Sequence, residues 1–96
     1  MYLLIASYIK PVEEVAPHHD AHSAWVKKYL AQGVFLAAGP KKSKLGGAIL
    51  AKSICRETLK AILAEDAYIQ ADVAAYQIVN FDCKAAAAGL ESLVAA

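Results

Sequence analysis

The sequence has few of the residues that mark specialised classes of small protein. It holds 2 cysteines in 96 residues, Cys55 and Cys83, and their spacing fits neither a metal motif nor a disulfide framework. No apolar run reaches the roughly 18 residues of a membrane helix. Met1–Ile9 is apolar but lacks the basic start of a signal peptide. We therefore expect reduced thiols, no membrane partner and a cytoplasmic location.

An excess of charge of either sign is also missing. Lys and Arg number 10 against 9 Asp and Glu, which gives a net charge of +1. The densest basic stretch, Lys41, Lys42 and Lys44, is too short to follow a nucleic-acid backbone. Gly46 and Gly47 lack the surrounding pattern of a phosphate-binding loop and are typical of a turn. These absences predict no nucleic-acid partner and no cofactor.

Apolar residues, by contrast, are abundant. They make up 58% of the chain, and charged residues only 20%. A domain of this size buries about 60–65% of the surface that its unfolded chain exposes. The chain thus carries more apolar material than one small core can hide, and we expect a homo-oligomer.

Hydrophobic periodicity predicts four strands and two helices in the order β-α-β-β-α-β. The strands are predicted over Tyr2–Ile9, Val34–Ala38, Ala48–Ile54 and Val73–Phe81, and the helices over Asp20–Gln32 and Arg56–Ala64. Asp20 is a candidate N-cap and Gly33 a candidate C-cap of the first helix. Between the second helix and the last strand we expect a loop or short helical turn, and over residues 84–96 a short alanine-rich helix. This order is that of a single ferredoxin-like α+β domain spanning residues 1–96.

The strands are apolar on both faces, which bears on assembly. Tyr2–Ile9 places Leu3, Ile5 and Ile9 on one face and apolar or aromatic residues on the other. A strand with one solvent-exposed face would alternate apolar and polar residues. The two helices of a ferredoxin-like unit cover only one face of the sheet. We therefore predict a homodimer in which two sheets meet face to face as a dimeric α+β barrel.

His22 and Asp66 are the candidate catalytic residues. His22 lies in the first turn of the first helix, on the apolar stripe that includes Trp25 and Tyr29. Asp66 follows the second helix. In this topology the start of one helix and the end of the other lie at the same end of the domain, so the two side chains can approach. A carboxylate bonded to an imidazole fixes the tautomer of the ring. The alternatives are a half-buried core histidine and a turn-forming aspartate.

A metal site is the rival interpretation of the histidines. His18, His19, Asp20 and His22 all have metal-binding side chains, and His18 and His22 have helical i, i+4 spacing. A further ligand at fixed spacing is missing, and Pro17 places the first two histidines in the entry turn. We therefore predict no metal site. Cys55 is interpreted as a small apolar filler at a strand end.

Four segments resemble the YciI-like (YCII-related) family over roughly residues 1–82. They are Tyr2-Leu3-Leu4-Ile5-Ala6, Ala21-His22, Gln32-Gly33-Val34-Phe35-Leu36-Ala37-Ala38-Gly39-Pro40, and Glu65-Asp66-Ala67-Tyr68. The resemblance implies a ferredoxin-like fold, a dimeric α+β barrel and a His–Asp active site at His22 and Asp66. It also implies a Gly-Pro pair after strand two at Gly39 and Pro40, which we take with the neighbouring Tyr68 as substrate-binding residues. The chain departs from the family pattern at Ala67, often proline, and at His19, often arginine.

Together these features predict a small cofactor-independent enzyme. His22 would act as general acid or base on a small organic substrate, in an isomerisation or an elimination of HX, while Asp66 orients the ring. The alternative is a non-enzymatic module of the same fold that binds a small ligand or a partner.

Overall fold

The four predicted strands and the two predicted helices all form, together with two short α-helices and two 3₁₀ turns. The computed structural model describes all 96 residues. Its strands are β1 (Tyr2–Tyr8), β2 (Phe35–Pro40), β3 (Gly46–Ala51) and β4 (Ala74–Asn80), and its helices are α1 (Val12–Val15), α2 (His19–Ala31), α3 (Arg56–Ala64) and α4 (Ala67–Gln70). 3₁₀ turns span Ala16–His18 and Glu91–Ala95. None of the helices combines the length and the apolar character that crossing a membrane requires.

The strands form one antiparallel sheet in the order β2-β3-β1-β4. The register places Leu4 of β1 opposite Ile49 of β3 on one side and Ile78 of β4 on the other. A bulge shifts the pairing of β2 with β3 between Phe35 and Ala37. This arrangement is an α+β ferredoxin-like fold, as predicted.

Helices α2 and α3 pack on a single face of the sheet. They meet the side chains of Tyr2 and Leu4 and their neighbours in a cluster of 10 buried residues, of which Leu4 and Leu59 are wholly enclosed. Full burial of a side chain of this size contributes about 1.5–3 kcal/mol. The indole Nε1 of Trp25 donates to the carbonyl of Ile62 at 3.0 Å, which links α2 to α3 inside this core.

The ends of α2 differ in how well they were predicted. The helix begins at His19, directly after a 3₁₀ turn, so Asp20 lies in its first turn and does not cap it. The predicted C-cap is confirmed: Gly33 has φ +73°, and Val34 N–H donates to Tyr29 C=O while Gly33 N–H donates to Leu30 C=O. This pair of bonds is a Schellman motif, which favours glycine because of its positive φ.

The opposite face of the sheet carries no helix of the core. Leu3, Ile5 and Leu50 are half-buried there and belong to neither hydrophobic cluster, and Val79 is 38% exposed. The register places Leu3 between Leu50 and Val79 in one row across the sheet. An apolar row therefore crosses the face that the helices leave open.

The terminal helix predicted over residues 84–96 is reduced to the 3₁₀ turn Glu91–Ala95. The alanine tract before it is not helical. Four alanines are too few to overcome the cost of starting a helix, and Gly89, at φ +89°, ends any helical run. Leu90 and Val94 are 52% and 48% exposed, so packing against the domain does not compensate.

The close approach of β1 and β3 at Gly46 gives a test of the sheet. Gly46 has φ +148°, and a Cβ built there would overlap the carbonyl oxygen of Ala6. We expect Gly46→Ala to lower the free energy of unfolding by about 3 kcal/mol, because strain and steric overlap add. Urea denaturation measures this change.

The matched control is Gly39→Ala in the same hairpin, where a Cβ meets nothing within 4 Å. Its expected effect on stability is within about 0.5 kcal/mol. Equal losses in the two variants would contradict the assigned register of β1 and β3.

Candidate active site

His22 and Asp66 meet at the end of the domain where α2 begins and α3 ends. His22 is the fourth residue of α2, and Asp66 lies between α3 and α4. The imidazole Nδ1 is 2.7 Å from Asp66 Oδ1. The predicted approach of the two side chains is confirmed.

Asp66 is completely buried, and its carboxylate is surrounded by hydrogen-bond donors. Oδ1 accepts from the backbone N–H of Tyr68 at 3.0 Å as well as facing His22, and Oδ2 accepts from the hydroxyl of Tyr76 at 2.7 Å. The bond from Tyr68 makes Asp66 the N-cap of α4. Ala67 occupies the first helical position, where proline is favoured in helices generally. The cap therefore fixes the direction of the carboxylate even with alanine there.

Tyr76 keeps its proton in this arrangement. Burial, and then the hydrogen bond to the Asp66 carboxylate, raise the pKa of the Tyr76 hydroxyl well above its usual range. Since both carboxylate oxygens of Asp66 already act as acceptors, the His22 Nδ1 carries a hydrogen and donates to Oδ1. The other ring nitrogen, Nε2, has no hydrogen-bond partner within the chain.

The ring of Tyr68 stacks on one face of the His22 imidazole. The two rings are stacked with centroids 3.9 Å apart and planes 7° from parallel. The Tyr68 hydroxyl lies 3.0 Å from His19 Nδ1, and its ring meets the edge of Tyr8. Burial raises the pKa of the Tyr68 hydroxyl, with Tyr8 as a second cause, so it stays neutral. The stack and the bond to Asp66 together restrict His22 to one orientation.

A cavity of about 290 Å³ opens beside the His22 ring, between α2 and the sheet. The cavity exists because the side chains on this face of the sheet are smaller in one row than in the row before it. The row Leu4, Ile49 and Ile78 fills the space under the helices, whereas the next row on the same face has Ala6 and Gly47 at its centre. Small residues at these positions leave room for a ligand.

All of the predicted substrate-binding residues line this cavity. Gly39 and Pro40 form its wall at the end of β2, and Tyr68 lies beside His22. Pro40 is paired with Gly47 in the row of small residues. The prediction that these residues bind substrate stays a prediction, but the structure brings them to the cavity that His22 lines.

Sequence reasoning missed Tyr76, which donates to the catalytic candidate Asp66. The pattern of β4 marked it as one more apolar or aromatic strand residue. The feature that could have identified Tyr76 is its position in the sheet. The register pairs Tyr76 with Ala6, in the row of small residues that forms the cavity. A tyrosine beside such a gap has room for its hydroxyl to reach Asp66.

The residues considered for a metal site do not form one. His18, His19, Asp20 and His22 do not converge on a common point, and no three His, Cys, Asp or Glu side chains are placed to hold a metal ion. Cys55 was interpreted as a filler, which is wrong. It is exposed at the start of α3, with Sγ 2.9 Å from Thr58 Oγ1.

These features define a ferredoxin-like domain with a His–Asp pair beside a small cavity. The family model of the YCII-related domain matches residues 1–82, and the chain belongs to that family. A solved structure is similar in fold: the 5-chloro-2-hydroxyhydroquinone dehydrochlorinase from Burkholderia phenoliruptrix AC1100, in complex with 2,5-dihydroxybenzoquinone. The TM-score is 0.68 at 16% identity, over 84% of this chain and 93% of that one. Among curated proteins, none matches the sequence.

The bond from Tyr76 to Asp66 leads to a prediction about stability. Tyr76→Phe leaves Oδ2 of a buried carboxylate without its donor, and we expect the free energy of unfolding to fall by about 1–3 kcal/mol. Tyr29→Phe is the control, since Tyr29 donates to Glu65, whose side chain is 44% exposed and accessible to water. Urea denaturation at neutral pH should show the smaller loss in Tyr29→Phe.

The same variant changes the response to alkaline pH. The pKa of Tyr76 in the folded protein lies well above the usual value of about 10 for tyrosine, so its contribution to stability is complete below about pH 10. Above that pH the unfolded chain loses this proton while the folded chain keeps it, and stability falls. Tyr76→Phe should therefore show a shallower decline between about pH 9 and pH 11 than the wild type. An unchanged slope would mean that Tyr76 ionises normally in the folded protein.

Proposed function

We propose that this protein is a small cofactor-independent enzyme in which His22 transfers a proton, in an isomerisation or an elimination of HX from a small organic substrate. The observation that carries the proposal is the position of His22 beside the cavity. Its Nδ1 is bonded to a buried carboxylate, and its Nε2 has no partner within the chain. The family and the fold likeness to a dehydrochlorinase support an enzyme of this kind.

The chemistry needs only groups that this chain supplies. The neutral imidazole takes a proton at Nε2, and the Asp66 carboxylate at 2.7 Å from Nδ1 stabilises the resulting positive charge. In an elimination, the electron pair left behind moves into the carbon skeleton, and the halide leaves with its bonding pair. In an isomerisation, Nε2 returns the proton to a different atom. Neither reaction consumes an electron donor or acceptor.

The other residues divide into binding and positioning roles. Gly39, Pro40 and Tyr68 would bind the substrate, because they form the cavity wall. Tyr76 also lines the cavity, but its hydroxyl is bonded to Asp66, and we therefore assign it a positioning role.

His22→Asn tests the proposal. We expect turnover to fall by about 10²–10⁴-fold, since general acid–base catalysis typically contributes that much. The measurements are halide release from 5-chloro-2-hydroxyhydroquinone and other halogenated phenolic compounds, and product analysis by chromatography for halogen-free phenolic and cyclic carbonyl compounds. Any substrate that the wild type turns over serves for the comparison.

His18→Asn is the matched control, because His18 lies in the 3₁₀ turn before α2 and does not line the cavity beside His22. It should retain the wild-type rate. Equal rates in wild type and His22→Asn would remove His22 from the mechanism. A wild type that binds members of the panel but converts none would instead identify a ligand-binding module.

We also propose that two copies pair through the open face of the sheet. The apolar row of Leu50, Leu3 and Val79 on that face supports this, because a water-exposed sheet face is ordinarily polar. All helices of the core lie on the other side, so none of them stands between this face and a second sheet.

Val79→Lys tests this pairing. Val79 is 38% exposed in the single chain, so the lysine should be tolerated by the fold but not between two sheets. We expect the dimer dissociation constant to rise at least about tenfold by light scattering after size exclusion. Ala61→Lys, on the exposed side of α3, should leave it unchanged. A wild type that stays monomeric at micromolar concentration would refute the dimer.

A further inference from the structure

The cavity is lined by one lysine and by no carboxylate. Lys27, together with the imidazoles of His19 and His22, lines it, and no aspartate or glutamate does. Asp66 is wholly buried behind the His22 ring, with its oxygens already bonded to His22, the Tyr68 N–H and the Tyr76 hydroxyl. A small cavity that contains an ammonium group and no carboxylate attracts an anion.

Lys27 differs from the lysine next to it in its contacts. Lys28 points away from the cavity and forms an ion pair with Glu65 at 3.3 Å. Lys27 lines the cavity and forms no ion pair or hydrogen bond within the chain. Ser23, four residues earlier, also lines the cavity and has no partner for its hydroxyl. Residues four apart share one side of a helix, so an ammonium and a hydroxyl lie together there.

The rest of the cavity wall is mainly apolar and suits a planar ligand. Val26 and Leu30 of α2 face Ala38 and Ile49 of the sheet across the cavity. Leu30 is 38% exposed although it lies on the apolar stripe of the helix, so a ligand would cover apolar surface there. The volume of about 290 Å³ lies at the lower end for ligand sites, which limits the occupant to about the size of one ring.

We infer that the substrate is a small planar organic anion, with its carboxylate or phenolate oxygen bound by Lys27 and Ser23 and its ring against the Val26–Leu30 wall. The inference rests on the proposed function, because it names the substrate class of the same site. His22 is adjacent to Ser23 in α2, so the anchored anion presents its neighbouring atoms to Nε2. An oxyanion that gains charge during proton removal would also be stabilised by the Lys27 ammonium.

Binding of three probes tests this directly. Benzoate and 4-nitrophenolate represent the two kinds of oxyanion, and benzamide is the neutral analogue of benzoate. We expect at least one of the two anions to bind the wild type at least about tenfold more tightly than benzamide, by calorimetry at a pH where both anions are ionised. Whichever anion binds identifies the oxygen group that the site prefers.

The two adjacent lysines provide the matched pair of variants. Lys27→Gln should weaken binding of the preferred anion about tenfold and leave benzamide unchanged. Lys28→Gln removes the same charge one residue away and should change anion binding less than about twofold. Equal effects of the two variants, no preference of either anion over benzamide, or no saturable binding of either anion would each overturn the inference.

The inference about the substrate class and the proposal of an enzyme activity can be refuted independently of each other. His22→Asn should still bind the preferred anion, because the anchor is Lys27 and Ser23. Lys27-dependent anion binding without turnover of any substrate would support the inference and refute the enzyme. Turnover of neutral compounds alone, uninhibited by benzoate or 4-nitrophenolate, would support the enzyme and refute the anion anchor.

Discussion

The buried carboxylate of Asp66 is the interaction on which both the fold around the site and the site itself depend. A charge removed from water is costly unless donors replace the lost hydration. Here the donors come from three separate elements: the His22 imidazole of α2, the Tyr68 N–H at the start of α4 and the Tyr76 hydroxyl of β4. Their positions relative to one another are therefore coupled through a single group. Loss of any one donor leaves a buried oxygen underbonded and also loosens His22.

This coupling explains why so small a domain can hold a histidine in one orientation. The ring is bonded at Nδ1, stacked on Tyr68 at 3.9 Å and flanked by Trp25 at 5.6 Å. Each contact belongs to the packed part of the domain, so the orientation needs no separate loop to maintain it. Only the edge of the ring that carries Nε2 is left for a ligand. Preorganisation of this kind lowers the cost of reaching a reactive geometry.

The main elements could be predicted from the sequence because they depend on local periodicity. The stripe through His22, Trp25 and Tyr29 identifies α2 and the side of it that faces the sheet. The topology then brings Asp66 to the same end. Contacts that depend on register and rotamer could not be predicted in this way. Tyr76 looks like a core aromatic until its row across the sheet is known, since only that row shows the gap beside it.

Two errors in the prediction have a common physical origin. Asp20 was expected to cap α2, and residues 84–96 were expected to form a helix, because both have the local composition for it. In the first case the preceding 3₁₀ turn already supplies the helix start. In the second, no apolar face is packed, so propensity alone does not hold the helix. Local preference determines secondary structure only where tertiary contacts agree with it.

The alternation of the strands separates the site from the face that we propose for dimerisation. In β4, Tyr76 points to Asp66, whereas its neighbour Gln77 and the nearby Val79 lie on the open face. In β1, Ala6 forms the cavity while Leu3 and Ile5 lie on the open face. A partner on that face would thus touch the strands that carry the site without supplying a residue to the cavity. Pairing would then affect the site through the rigidity of β1 and β4, because any shift of these strands moves Tyr76 relative to Asp66.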